Sequence, residues 1–406
     1  METEKYKKIS ILKNSIQNYA WGSKTAIQSL LGKTAPGEEP IAELWMGAHP
    51  KSPSMVLIGS RWIPLNKVID EDPESILGKE VALRFAKKLP FLFKVLAADK
   101  PLSIQAHPNL NQAQSGFMRE NRLKIPLDAP NRNYKDQNHK PEILCALTKF
   151  YALKGFRQIA EIVFLMEQVI PPTLFSRLED LKKRPTSFQL KNFYSYIMSQ
   201  DKAWQKQVVK EIVTRAENLV TENPAYEWMI RLNREYPGDI GVLSPLLLNF
   251  LQLLPGEAVY IPAGELHSYL YGTGIELMAN SDNVLRGGLT PKHVDVEELL
   301  EIISFKAGSS AITVPVPGKT CEKVYPAPVN EFLLSEITVK ASDSFTSGKR
   351  RSAEIVICIK GNAKIKDVQT SEVLHLNKGK SVIIPSSVPQ YIIEGNATLY
   401  KASIPL

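Results

Sequence analysis

Hydrophobic and polar positions change style three times along the chain. Up to about residue 157 the apolar runs are short and broken by Gly, Pro, Asn and Asp. PFLFKVLAA (90–98) and PLSIQAHP (101–108) read as strands, each short, proline-bounded and rich in β-forming residues. TAIQSLLG and DPESILG read as brief helices between them. From 158 to 235 the text becomes long, charged and amphipathic. In DKAWQKQVVKEIVTRAENLV the apolar positions Trp204, Val208, Ile212, Val213, Ala216 and Val220 recur at helical spacing, which predicts a helix there. YPGDIGVLSPLLLN (236–249) then returns the chain to β-type punctuation. A helical block between two β blocks predicts an insertion into a mainly β fold. The expected layout is a β unit over 1–157, interrupted by helices over 158–235 and resumed over 236–320. A separate β unit is expected over 321–406.

The last part carries an internal echo. LLPGEAVYIPAGELHSYL (253–270) resembles LNKGKSVIIPSSVPQYII (376–393) in its order of glycine, charged residue, β segment, Ile-Pro and turn. Laying Pro262 on Pro385 also aligns Gly256 with Gly379 and sets His267 opposite Gln390. Two modules of one plan are predicted, only one of them with a histidine to offer a metal.

Composition narrows the picture modestly. A chain of 406 residues exceeds what one hydrophobic core usually serves. The formal charge of +8 comes from 50 basic against 42 acidic residues. Basic residues are dispersed, without the clustered tracts of a nucleic-acid binder, so the excess reads as solvated surface. Cys145, Cys321 and Cys358 are distant and odd in number, which argues for a reducing compartment. The opening METEKYKKISILKN lacks a long apolar run, so no signal peptide or membrane span is expected. These features predict a cytoplasmic protein that binds neither membrane nor nucleic acid.

The candidate chemistry begins at YKDQNHKPEILCAL (134–147), where ionisable groups crowd the mouth of an apolar strand. Charges so close to an interior are costly unless they bind something. Lys140 and Glu142 stand two apart, as do Gln105 and His107 in SIQAHPN, so each pair leaves one face of a strand. His267 ends the turn after YIPAGEL. One amide, one carboxylate and two imidazoles suit a divalent metal of the zinc kind. HSYLYGTGIELMANSDNVLRGGLTPK (267–292) follows, with GTG read as a hairpin turn. Glu276 lies on the returning strand, and Asp282, Arg286 and Lys292 come after it. Together with Lys94, Lys100, Ser103 and Lys140 they would ring a metal with cations, which suits an anionic substrate such as a phosphate.

These segments resemble the type I phosphomannose isomerases, zinc enzymes that interconvert mannose 6-phosphate and fructose 6-phosphate. YKDQNHKPE looks like one family signature and HSYLYGTGIELMANSDNVLRGGLTPK like the other. ELWMGAHPKSPS, PFLFKVLAADKPLSIQAHPN and YPGDIGVLSPLLLN follow in the family's order, so the likeness runs from about Gln17 to Leu300. It implies two cupin (jelly-roll) β modules with a helical insertion, the terminal module lacking a metal site. It implies one Zn²⁺ held by Gln105, His107, Glu142 and His267. Lys140 and Arg286 would be substrate-binding or catalytic groups beside it, with Ser103, Lys94 and Lys292 on the phosphate side and Asp282 among the substrate contacts. Ser268 and Gly287 stand where the family commonly has alanine, both small-for-small changes.

An aldose–ketose isomerase needs a base near the carbon-bound proton and positive charge near the oxygens. Glu276 is the first candidate for the base and Lys140 the second. Two other readings use the same residues. A cupin oxygenase would hold Fe(II) with His107, His267 and Glu142 but has no use for a cationic ring. A silent sugar-phosphate sensor would keep the cations without needing the intact ligand set. The partner expected is a small-molecule sugar phosphate, bound by a monomer.

Overall fold

The computed structural model describes residues 7–34 and 36–406. Two β modules lie side by side, one an 11-stranded and the other a 10-stranded sheet. A helical block is set into the 10-stranded one. The strand Glu142–Ala146 shows how the modules are joined, because both of its faces are buried. Glu142, Leu144 and Ala146 point into the first module. Ile143 and Cys145 point the other way and pack with Leu334, Ile355, Ile357 and Tyr400 of the second. A strand covered on both sides has to be apolar throughout unless a residue has business inside. That accounts for ILCAL and leaves Glu142 as the exception.

The same alternation places the helical insertion. Ile104 and Ala106 leave one face of the short strand Ile104–Ala106 and enter the large core of the helical block. Leu266 and Leu270, beside the start of the strand His267–Ala279, join that core too. Each such buried aliphatic side chain contributes roughly 1.5–3 kcal/mol, so the helices press the strands' opposite edge of residues inward. Helices run from Ile159–Glu167 through Pro224–Glu235, followed by the short turns Ile240–Leu243 and Ser244–Leu247, and strand resumes at Leu248. The helix expected over 201–220 is Lys202–Ala216, its N-terminus capped by the Asp201 carboxylate, which accepts from the Trp204 amide at 2.9 Å. Val220 lies beyond its end and is partly exposed.

Three expectations are corrected. GTG is not a hairpin turn: His267–Ala279 is one continuous strand. Its first part pairs with Phe150–Phe156, and from Gly272 onward it pairs with both Phe91–Ala98 and Glu142–Ala146. The register shifts between Tyr269 and Tyr271, a bulge that turns the strand from one pairing surface to the other. Gly272 follows just past the bulge at φ +122°, where a Cβ would meet the Lys149 carbonyl oxygen at 2.7 Å and Phe150 Cα at 2.9 Å. A Gly-rich turn and a Gly-rich bulge look alike in sequence. The strand read in PLSIQAHP is shorter than expected, Ile104–Ala106, with His107 just past its end. Finally, the strands Ser10–Lys13, Met55–Ile58 and Arg61–Pro64 join the sheet of the second module, through Ser10 opposite Ile383.

The internal echo is structural. Gly256 and Gly379 both adopt left-handed backbone, at φ +87° and +82°. Glu142 pairs with Ile261 as Glu354 pairs with Ile384, each isoleucine preceding the aligned proline. Tyr391–Ser403 has its own positive-φ glycine, Gly395 at φ +133°, in register with Gly272.

Substituting Gly272→Val should cost about 1–3 kcal/mol from backbone strain alone, with clashes adding to it. Urea unfolding measures this, and an unchanged midpoint would remove the bulge from its assigned role.

Candidate metal centre

The inward faces of these strands bring His107, Glu142 and His267 together. All three are buried, and their ligand atoms lie within 4.8 Å of one another. His107 Nε2 is 3.3 Å from Glu142 Oε1, and His267 Nε2 is 3.4 Å from Glu142 Oε2. The other nitrogen of each ring is committed to a backbone carbonyl. His107 Nδ1 donates to the Asn283 oxygen at 2.8 Å, and His267 Nδ1 to the Glu265 oxygen at 2.9 Å. A carbonyl only accepts, so each Nδ1 carries the proton and each Nε2 presents a lone pair. Both Nε2 atoms are buried without a hydrogen-bond partner. Burial, and then the Lys140 charge, hold His107 down to about 4, so its ring is neutral near pH 7. Burial works against the charge on Glu142, yet Lys140 and His107 keep its carboxyl well below the usual range.

The neutral His107 therefore turns an Nε2 lone pair toward an anionic carboxylate, with His267 Nε2 at the same carboxylate's other oxygen. A cation between them would be held by all three. The donor set, nitrogen and carboxylate oxygen, suits Zn²⁺. Gln105 is placed to add an amide oxygen, since it lies directly opposite His267 in register and so shares its face. Its side chain is half-buried.

Around this cup the remaining expected residues divide. Lys140 is buried, with Nζ 3.1 Å from Glu142 Oε1. Arg286 pairs in register with Gln105 on its other side, half-buried, and has no ion-pair partner among the described residues. Ser103 is half-buried just before the strand of Gln105, and Lys292 is exposed on the loop after Arg286. Burial first, then Arg286 and Lys135, lower the Lys292 pKa, so these cations feel one another. Lys94 stands differently from a free phosphate ligand. It is buried between two carboxylates, donating to Glu276 Oε2 at 2.8 Å and approaching Glu43 Oε1 at 3.4 Å. Asp282 is occupied as well, by Lys51 at 2.6 Å and His49 at 3.4 Å. Lys100 does not join the ring. It is exposed and pairs with Glu235 at the surface.

Burial pushes the Glu276 carboxyl upward, with Glu142 and Glu43 adding to the push and Lys94 opposing it. Residues not singled out from the sequence also belong here. Glu43 shares the inner face through its strand Glu43–Gly47, and its Oε2 accepts from Trp45 Nε1 at 2.8 Å. Tyr269 Oη lies 3.5 Å from Glu142 Oε2. Strand alternation from His267 to Tyr269 was the available signal for the tyrosine. Asn283 gave no sequence signal, because its backbone carbonyl does the work. Of the turn residues, His139 pairs with Glu331 of the second module at 2.7 Å, whereas Asp136 bonds to the segment carrying Asn283.

Comparison with known proteins gives a consistent answer along the whole chain. The family description "Phosphomannose isomerase type I, catalytic domain" matches residues 9–159, and its helical insertion domain matches 170–248. "Mannose-6-phosphate isomerase, cupin domain" matches 322–404. The mannose-6-phosphate isomerase of Escherichia coli K12 is 41% identical over 96% of this chain and 97% of its own. The chain belongs to the type I phosphomannose isomerase family. The Rattus norvegicus mannose-6-phosphate isomerase, a more distant relative, is 34% identical over 93% of this chain and 95% of its own. Among solved structures, a phosphomannose isomerase mutant from Salmonella typhimurium superposes with TM-score 0.90 at 37% identity, covering 98% of this chain and all of the other. A zinc-bound mannose 6-phosphate isomerase superposes with TM-score 0.89 at 37% identity, with the same coverage. The mainly β fold with a cupin module and helical insertion is thus the family's.

In the second module the counterpart of Glu142 is neutralised by the chain itself. Glu354 is buried, with Arg351 Nη1 at 3.4 Å and Lys401 Nζ at 3.7 Å, and Lys401 also reaches Glu322 at 2.7 Å. Gln390, aligned with His267, donates its amide to the Ser347 carbonyl at 3.0 Å.

A pH dependence follows for the metal-free chain. His107 is held at about 4 against 6.5 in the unfolded state, so its contribution to stability is present above pH 6.5 and fades as pH falls through 4. Glu142, also held low, acts in the same direction. Chelator-treated protein should therefore melt at progressively lower temperature on acidification from pH 7 to 4. A rising melting temperature over that range would contradict the assigned protonation states.

Proposed function

We propose that this chain is a zinc-dependent mannose-6-phosphate isomerase, converting mannose 6-phosphate and fructose 6-phosphate into one another by proton transfer between C1 and C2. The observation that carries the reading is the buried His107–Glu142–His267 cup with Lys140 and the unpaired Arg286 beside it. Names of relatives across bacteria and mammals support the same substrate.

A zinc ion held by Gln105, His107, Glu142 and His267 would supply Lewis-acid polarisation of the sugar oxygens. Glu276 removes the proton from C2 of the open-chain aldose while O1 gains a proton, giving the 1,2-enediol. It then returns the proton to C1 of the enediol while O2 loses its own, giving the ketose. Burial raises the Glu276 carboxyl above the usual range, which makes it a stronger proton acceptor than a solvated carboxylate. Lys94 holds that carboxylate in place through the 2.8 Å bond, with Glu43 steadying the ammonium from the other side. Lys140 and Arg286 place positive charge beside the oxygens that become electron-rich. Ser103 and Lys292 receive the phosphate, which anchors the sugar so that remote binding energy orients its reacting end. Asp282 organises Lys51 and His49 at the rim.

The reading extends to a cytoplasmic monomer acting on a free sugar phosphate, with no nucleic-acid or membrane partner. All three cysteines are unpaired, which suits a reducing compartment. Among the described residues no helix is long and apolar enough to cross a membrane.

Metal-stripped protein should fail to form fructose 6-phosphate from mannose 6-phosphate and recover on addition of Zn²⁺. Full activity in the stripped state would refute the zinc assignment. Glu276→Gln should lower kcat by about 10²–10⁴-fold, the range for loss of a general base, while zinc content stays at the wild-type level. An active Glu276→Gln enzyme would transfer the role to Lys140.

A further inference from the structure

We infer that Asp136 and Asn283 form a brace that positions His107 and Glu142 together, and so sets how tightly the cup holds its metal. The inference rests on the zinc reading above. The carbonyl of Asn283 accepts from His107 Nδ1 at 2.8 Å, which fixes both the tautomer and the direction of Nε2. That carbonyl is itself held by an unusually complete set of bonds. The Asn283 side chain is fully buried, and its Nδ2 donates to the Asp136 carbonyl and the Asn138 carbonyl, each at 2.9 Å. Its Oδ1 accepts from the Lys135 amide at 2.7 Å and the Asp136 amide at 3.2 Å.

The Asp136 carboxylate closes the other side. Oδ2 accepts from the Asp282 amide at 2.7 Å, and Oδ1 from Ser281 Oγ at 2.8 Å and the Asn138 amide at 2.9 Å. No lysine or arginine pairs with it among the described residues, so these are its compensation for partial burial. Apart from the Asn138 amide bond, which is local to its own turn, these bonds run between the segments 135–138 and 281–283. The first leads within a few residues to Lys140 and Glu142, and the second to Arg286. One brace therefore sets the relative place of a histidine ligand, the carboxylate ligand and the adjacent cation. Neither brace residue touches the cup with its own side chain, which makes both positioning residues.

The probe is Zn²⁺ alone, with affinity measured by competition against a fluorescent chelator, and kcat and KM measured at saturating zinc. Asn283→Ala keeps the carbonyl but releases it, and should weaken zinc binding by about 10–100-fold, the usual effect of losing an outer partner of a metal ligand. Asp136→Asn should act in the same direction. Saturating zinc should restore most of kcat in both. Ser281→Ala removes a single bond to Asp136 and serves as the milder variant should either of these not fold, with a smaller loss of affinity expected. Gln137→Ala, exposed on the same loop, should bind zinc as the parent does. A brace that serves folding alone would lower the melting temperature at unchanged zinc affinity, and that outcome overturns the inference. If the parent protein itself binds no zinc, the zinc reading falls, and the inference with it.

Discussion

The structure turns on a repulsion. Two imidazole nitrogens and one carboxylate are aimed at the same small volume, each nitrogen 3.3–3.4 Å from a carboxylate oxygen, and the neutral His107 turns a lone pair toward it. Among the described residues only Lys140 offsets this, at one carboxylate oxygen, and both Nε2 atoms are left without a hydrogen-bond partner. A fold tolerates such an arrangement only where an external cation converts it into attraction. The backbone carbonyls that pin Nδ1 of each ring make the arrangement deliberate, since they forbid the tautomer that would soften it.

Holding that geometry requires walls that do not move, and the strand alternation supplies them. Each strand that carries a polar residue inward carries an apolar one outward into a separate core. Ile104 and Ala106 enter the helical insertion, and Ile143 and Cys145 enter the contact with the second module. The helical block and the terminal module thus act on the site from outside, by clamping the strands whose other faces form it. The bulge at Leu270, with Gly272 just past it, lets one strand serve both pairing surfaces, with His267 on one stretch and Glu276 on the other.

In the second module the same plan meets its buried carboxylate with cations of its own. Glu354 occupies the register position of Glu142, but Arg351 and Lys401 are close enough to balance it, and Lys401 stands opposite Val356 as Glu276 stands opposite Leu144. A carboxylate has been met by the chain's own cations, and the histidine position holds an amide bonded to backbone. Buried charge is balanced in both modules; only the first has to import the balance.

Much of this was readable in the residue text, and the failures are instructive. The i, i+2 spacings in QAH and KPE, the alternation of PFLFKVLAA and the helical period of 201–216 are local properties, and local physics expresses them directly. Glycines are locally ambiguous, so GTG passed for a turn when it is paired backbone just past a bulge, in a strand thirteen residues long. A lysine's charge is legible but its partner is not, which is why Lys94 and Lys100 read alike. One is buried between Glu43 and Glu276, and the other is tied to Glu235 at the surface. The sequence by itself determined which side chains could ligate a metal, which strand faces they leave, and that a helical block interrupts a β fold. Only the tertiary structure decided which of the cations stand free beside the cup, and that a backbone carbonyl orients His107. It also decided that the first strand joins the second module's sheet. Those outcomes depend on contacts between segments far apart in the chain, whose energies no local pattern encodes.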